Sequence, residues 1–176
     1  MQPRLTLTFA LACGLTAGNL YYAQPLLGVL GQAFGVGADR TGLIVTLTQL
    51  GYALGLLLLV PLGDMFENRR LIGRVLWLTS LASLAASLAP NFASFALASF
   101  AIGFTSVVAQ VLVPFAAHLA PAAQRGRVVG QVMSGLLIGV LLARAVSGLV
   151  AEAWGWRAVF QLSAALLVLL NLWLAL

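Results

Sequence analysis

The stretch Leu54-Gly55-Leu56-Leu57-Leu58-Leu59-Val60-Pro61-Leu62-Gly63-Asp64-Met65-Phe66-Glu67-Asn68-Arg69-Arg70 decides how this chain is built. Its first seven residues are apolar or glycine with no alternation. They therefore fit neither a half-buried strand nor the in-out pattern of a membrane barrel strand. They read as a helix that is hydrophobic all round, and such a helix needs apolar surroundings on every side. Pro61 and Gly63 then interrupt the run, and four charged side chains follow within seven residues, Asp64, Glu67, Arg69 and Arg70. An apolar rod ending in a charged turn is the pattern of a helix leaving a bilayer.

The rest of the chain repeats it. Hydrophobic residues make up 62% of the sequence and charged ones 7%, against roughly 45–50% and about 25% in a soluble domain. Each span takes about 20 apolar residues, so 176 residues hold six. The run 164–170 is again apolar without alternation. The expected fold is an all-α membrane protein, a single domain of six transmembrane helices over residues 1–176.

Polar punctuation sets the spans. The first covers residues 5–33 and stops before Gly35-Val36-Gly37-Ala38-Asp39-Arg40; the second covers 41–62. The third follows the charged turn and ends near residue 89, where Pro90-Asn91-Phe92 turns the chain into a fourth ending near 117. A loop with Pro121 and Arg125-Gly126-Arg127 leads to the fifth span, 128–150. Glu152 and Trp154-Gly155-Trp156-Arg157 connect it to the sixth. The net charge of +5 rests on nine arginines and no lysine. Arg4, Arg69, Arg70, Arg74, Arg125 and Arg127 fall on one side of this threading and only Arg40 and Arg157 on the other. Short loops rich in arginine stay in the cytoplasm, which places both termini there and Trp154 and Trp156 at the outer interface. That sorting also turns the basic balance away from nucleic acid, which needs a clustered basic surface.

Helices in lipid associate by close backbone approach through small residues. Gly14/Gly18, Gly31/Gly35, Gly51/Gly55 and the series Gly135, Gly139, Ala143, Ser147 supply it at four-residue spacing. Cys13 stands alone, so no internal disulfide forms. Phe9-Ala10-Leu11-Ala12-Cys13 is a weak match to a lipoprotein cleavage site; its preceding run is short, and a retained first helix is the better reading.

Gly51, Gly55 and Pro61-Leu62-Gly63-Asp64 followed by Arg69-Arg70 resemble the signature loop between the second and third helices of the major facilitator superfamily. Val60, Met65 and Glu67 depart from it, standing where a Gly, a basic residue and a Gly are usual. Arg125-Gly126-Arg127 is similar to the family's loop after helix four, and Gly155-Trp156-Arg157-Ala158-Val159-Phe160 to the start of its sixth helix. With Asn19-Leu20-Tyr21-Tyr22-Ala23-Gln24-Pro25, the chain looks most like bacterial drug or metabolite efflux members. The resemblance implies the N-terminal half of a twelve-helix fold, built as a three-plus-three inverted repeat, with substrate bound between halves near the midplane. It implies a multi-pass inner-membrane protein, a proton-coupled exporter of small organic solutes with no cofactor, and no enzyme. Its partners would be the bilayer, a small-molecule substrate, and a missing C-terminal half or a second copy. Ser99 stands where efflux members carry an Arg, and Ala143-Arg144 where antiporters carry Gly-Pro; both depart from the pattern of a proton-driven drug antiporter.

Candidate transport residues are the polar ones inside spans. Arg144 lies about two-thirds of the way toward the outer face, and an Arg near a helix centre costs roughly 2.5–3.5 kcal/mol on insertion scales. Asp39, Asp64, Glu67 and Glu152 all fall near span ends. Arg144 is therefore expected to face a cavity and attract an anionic group, from a substrate or from the missing half, the alternative being snorkelling to the outer headgroups. Asn19, Tyr21, Tyr22 and Gln24 cluster before Pro25, which lacks a backbone donor and is expected to bend the helix, and Asn19 and Tyr22 share one helix face. Ser99, Gly103, Ser106, Gln110 and Pro114 make a second polar stripe in the fourth span, and both stripes place a Gln before a Pro. Interhelical hydrogen bonding is the structural alternative for both. Gln49 and Tyr52, with Gln131 and Ser134, are lesser candidates. Asp64, Arg69 and Arg70 read as a gating loop, in which a carboxylate and guanidinium groups make contacts that open and close. His118 is a lone histidine and makes no metal site. A six-helix serine protease would need a buried Ser–His pair; Met133-Ser134-Gly135 lacks the flanking pattern. A non-transporting membrane module or half-transporter dimer remains the competing function.

Overall fold

The computed structural model describes residues 3–175, with the side chains of Pro3, Arg4, Asp64 and Ala175 outside that description. All regular structure among the described residues is helical: α1 (Pro3–Gly18), α2 (Leu27–Phe34), α3 (Ala38–Leu58), α4 (Leu62–Met65), α5 (Asn68–Ser87), α6 (Phe92–Thr105), α7 (Val108–Leu119), α8 (Arg125–Trp154) and α9 (Trp156–Ala175). Single 3-10 turns occupy Gln24–Leu26 and Ala122–Gln124. Six crossings result. The second, third, fifth and sixth are α3, α5, α8 and α9.

The first and fourth crossings are each divided into two helices. Between α1 and α2 the backbone closes onto the third residue back, Asn19 N donating to Thr16 O at 3.3 Å, Leu20 N to Ala17 O at 3.2 Å and Tyr21 N to Gly18 O at 3.0 Å. Pro25 has no N–H with which to resume an α-helix. In the fourth crossing the break separates α6 from α7. Thr105 Oγ1 donates to Ala101 O at 2.8 Å and Ser106 Oγ to Ile102 O at 2.6 Å, drawing on carbonyls that belong to the helical ladder.

Four segments are long and apolar enough to cross a bilayer unaided: Ala38–Leu58, Phe92–Leu119, Ala122–Trp154 and Trp156–Leu174. The first crossing misses because it is cut in two. The third misses because Arg69, Arg70 and Arg74 occupy the first two turns of α5.

Pairing follows the threading. α1 lies along α8 in the same direction, Ala10 against Gly135 and Gly14 against Gly139. α3 lies along α6, again in parallel, with Gly51 against Phe100 and Gly55 against Phe104. α5 and α9 run antiparallel, since Ser80 Oγ donates to Ala164 O at 3.0 Å while Asn171 Nδ2 donates to Gly73 O at 3.1 Å. Crossings of equal parity pair in parallel and crossings three and six pair antiparallel, as alternating passage through one slab requires. Exchanging crossings one to three with four to six maps the pair one–five onto four–two and leaves three–six in place. This is the symmetry of a three-plus-three inverted repeat.

The small residues make the pairing close. A Cβ on Gly14 would stand 2.7 Å from Gly135 O, and one on Gly103 would overlap Thr48 O. Gly31/Gly35 does something else: Gly35, at φ 65°, ends α2 in a left-handed cap with Val36 N on Gly31 O at 2.9 Å. Asn91 and Ser94 form a reciprocal cap that starts α6, Ser94 N donating to Asn91 Oδ1 at 2.9 Å.

Several boundaries move. α3 stops at Leu58, ahead of Pro61, not at residue 62. Arg125-Gly126-Arg127 is the first turn of α8, and Glu152 lies within α8, whose end is set by Gly155 at φ 84°. Trp156 is not exposed at the end of the bundle: it is buried, 5.4 Å from Phe34 and 5.4 Å edge-on to Phe95 between ring centroids, in a cluster completed by Phe160. Trp154 alone of the two is exposed, at 75%.

Candidate functional site

Behind the broken helices, α5 and α9 form a supporting layer whose polar groups meet the breaks. Asn19 Oδ1 accepts from Ser163 Oγ of α9 and, at 3.5 Å, from Ser83 Oγ of α5, while Asn19 Nδ2 donates to Leu15 O at 3.0 Å. Thr79 Oγ1 of α5 donates to Thr105 O, at the end of α6, at 3.1 Å. Such contacts satisfy groups that have no water to turn to inside a bilayer.

Asn19 is consequently turned into the bundle, 5% exposed, rather than onto a cavity face. Tyr22 does not share its direction. The regular helix ends at Gly18, so the two residues lie in irregular turns and face different partners. Tyr22 is half-buried beside α8, on an apolar crevice of about 400 Å³ lined by Leu11, Gly14, Ile138 and Leu142. Gln24 is half-buried in the 3-10 turn. The polar stripe of the fourth crossing divides at the break. Ser99, Gly103 and Ser106 are buried, the two hydroxyls bonded to their own helix, whereas Gln110 and Pro114 beyond the break are exposed.

The remaining polar groups converge on one open face. Gln110 Nε2 of α7 donates to Tyr52 Oη of α3 at 2.9 Å. Tyr52 lies within electrostatic range of Tyr21, in the break of the first crossing. The guanidinium carbon of Arg144, on α8, stands 5.1 Å from the centre of the Tyr21 ring. Gln49, one turn before Tyr52 on α3, is exposed. Four crossings thus contribute to one polar band, four, two, one and five in that order. Tyr21 belongs to the cluster before Pro25, but the three-residue spacing of Asn19 and Tyr22 did not single it out; its place beside a break at Gly18 and Pro25 was the available signal.

Arg144 is exposed and no described carboxylate pairs with it. Its place over Tyr21 is a cation–π arrangement, which orients a guanidinium without neutralising it. On the N-terminal side of this band, Gln110 also lines a cavity of about 720 Å³ with Asn68, Pro114 and His118. Asn68 Oδ1 is buried there without a hydrogen-bond partner. His118 is exposed at the end of α7. Gln131 and Ser134 are exposed on α8, the latter bonded to Gly130 O at 2.8 Å.

In the charged turn, Arg70 Nε lies 2.8 Å from Glu67 Oε2, both side chains well exposed. An exposed pair at this spacing contributes at most about 1 kcal/mol. Arg69 is exposed; the Asp64 side chain lies outside the described residues.

Known proteins share both sequence and fold. The family described as Major Facilitator Superfamily matches residues 9–176. The transporter YgaY of Escherichia coli O157:H7, named as uncharacterized, is 48% identical over 172 residues, 98% of this chain and 44% of that protein. "Probable transporter SCO4007" of Streptomyces coelicolor is 39% identical over 163 residues, 93% of this chain and 38% of that protein. The chain therefore spans less than half the length of these relatives. Among solved structures, a bacterial homolog of the human lysosomal transporter Spinster, inward-facing and unoccupied, superposes with a TM-score of 0.86 at 17% identity, over 99% of this chain and 43% of that one. The inward-open xylose transporter XylE of E. coli gives 0.80 at 20% identity, over 98% and 47%.

Proposed function

Because this chain belongs to the major facilitator superfamily, we propose that it acts as the N-terminal half of a twelve-helix secondary transporter of small organic solutes. The observation that carries this reading is the open polar band of Tyr21, Tyr52, Gln110 and Arg144, contributed by four crossings. Polar and ionisable groups at membrane depth face a bundle interior or a water-filled cavity. In this reading the band is one wall of the substrate cavity, and a second six-helix half supplies the other. Rocking of one half against the other alternates access, the closely packed glycine pairs keeping each half rigid. The breaks in the first and fourth crossings lie beside the band, tied to the supporting layer through Asn19 and Thr105.

Export is the proposed direction and protons the proposed coupling ion. A protein of Pasteurella multocida named "Probable sugar efflux transporter", 26% identical over 159 residues, supports export at a distance. The arginine asymmetry supports a bacterial inner-membrane location with both termini in the cytoplasm. There Asp64, Arg69 and Arg70 serve as the gate at the cytoplasmic mouth, bonded in one access state and released in the other. Reconstituted full-length protein tests the whole: it should move solute across vesicles faster with a proton gradient than without. Equal fluxes in both would remove the coupling, and no flux of any solute would favour a non-transporting module or a half-size subunit.

A further inference from the structure

Resting on that reading of the cavity wall, we infer that the solute is an organic anion, its negative group held by Arg144. Three observations carry this. First, Arg144 is exposed on the band at membrane depth, with no described carboxylate to neutralise it. The acids of the chain fall at span ends: Asp39 in the first turn of α3, Glu67 before α5, Glu152 in the last turn of α8, and Asp64 in α4. The wall is thus positive, with no counter-charge of its own.

Second, the guanidinium is oriented. Its Cζ stands 5.1 Å from the centre of the Tyr21 ring, which holds the group against the wall without engaging it in an ion pair. A guanidinium edge matches a carboxylate with two parallel N–H···O bonds. Tyr21 belongs to a stretch held by Asn19, which Ser163 and Ser83 fix from behind. The aromatic platform is therefore set by the supporting layer and not by the ligand.

Third, the other groups on the band are neutral and can donate. Gln110 already gives one N–H to Tyr52 Oη, which leaves the phenol O–H free to donate outward. Gln49 offers a further amide on the same helix face as Tyr52. One charged fork and two neutral donors suit a carboxylate-bearing solute with additional acceptors. A cationic solute would meet like charge without an acid to receive it.

The probes are benzoate, benzamide and benzylamine, which share one ring and differ in charge, added to full-length protein in nanodiscs with binding read by thermal stabilisation. Benzoate should bind roughly tenfold or more tightly than benzamide, as a charge-assisted pair exceeds a neutral one, and benzylamine should not stabilise at all. Arg144→Gln should erase the benzoate preference in a protein that still folds; Arg144→Lys should keep part of it, since charge survives and the fork does not. Equal binding of benzoate and benzamide, binding of none of the three, or a preference that survives Arg144→Gln overturns the inference. Water access to a Gln49→Cys variant separates the layers: a cysteine that reacts with aqueous maleimide while binding shows no charge preference sinks the anion assignment alone, and one that resists sinks the cavity reading beneath it.

Discussion

Asn19 Oδ1, in the break of the first crossing, accepts a hydrogen bond from Ser163 Oγ of α9, 144 residues further along the chain. The same oxygen faces Ser83 of α5, so one amide joins three crossings at the point where the first loses its helical ladder. In hydrocarbon an unmet polar group has no solvent to fall back on. Asn19→Leu should therefore lower the unfolding midpoint, with coupling to Ser163 of about 0.6 kcal/mol and at most about 1.7 kcal/mol, the range of interhelical bonds in membranes. A double-mutant cycle with Ser163→Ala measures it; strict additivity would show that the contact contributes nothing.

The glycine contacts give a sharper contrast. Gly139 packs directly on the backbone of Gly14, whereas Gly148, on the same helix, has no neighbour within 4 Å of a would-be Cβ. Gly139→Val should prevent recovery of a monodisperse protein, because one backbone would have to move away from another. Gly148→Val should be recovered at normal yield. Gel filtration after detergent extraction reads both.

Gly155 holds φ 84° and ψ 161°, a region that side chains other than hydrogen avoid. Gly155→Ala should cost about 1–3 kcal/mol of stability. The neighbouring Trp156 cluster is expected to stay formed, and its tryptophan emission, compared with wild type, checks that the loss is local strain.

For the proposed cytoplasmic gate, Asp64→Asn should slow transport several-fold while membrane abundance stays level, since the amide keeps the shape and removes the charge that the gate would require. Flux per molecule of protein in the membrane is the measurement; an unchanged rate excludes the gate.

Most of the architecture was legible before any coordinates. The apolar runs, the punctuation at Pro90-Asn91 and the arginine placement defined six crossings, and the four-residue spacing of Gly14, Gly51, Gly135 and Gly139 marked the surfaces on which helices meet. Periodicity misled where the helix is not regular. The shared face of Asn19 and Tyr22 presumes a regular helix, and the helix ends at Gly18; Asn19 meets α5 and α9 while Tyr22 lies beside α8. Ser106 reads as a cavity residue from its spacing to Gln110, yet the break between them buries its hydroxyl. Trp156 reads as an interface residue by composition, and only the meeting of α2, α6 and α9 reveals an aromatic cluster. Arg144 and Gln110 were legible because a charge or an amide within an apolar span is conspicuous wherever the helix turns.

The polar band as a water-filled wall is the claim on which the rest stands, and cysteine accessibility addresses it most directly. In full-length protein carrying Cys13→Ala, single cysteines would replace Gln49, on the band, and Leu81, an exposed apolar residue of α5. Both lie well inside their crossings. The account predicts that a membrane-impermeant maleimide modifies Gln49→Cys and leaves Leu81→Cys unreacted. Reaction of Leu81→Cys with protection of Gln49→Cys would contradict it, since lipid would then cover the face assigned to the solute.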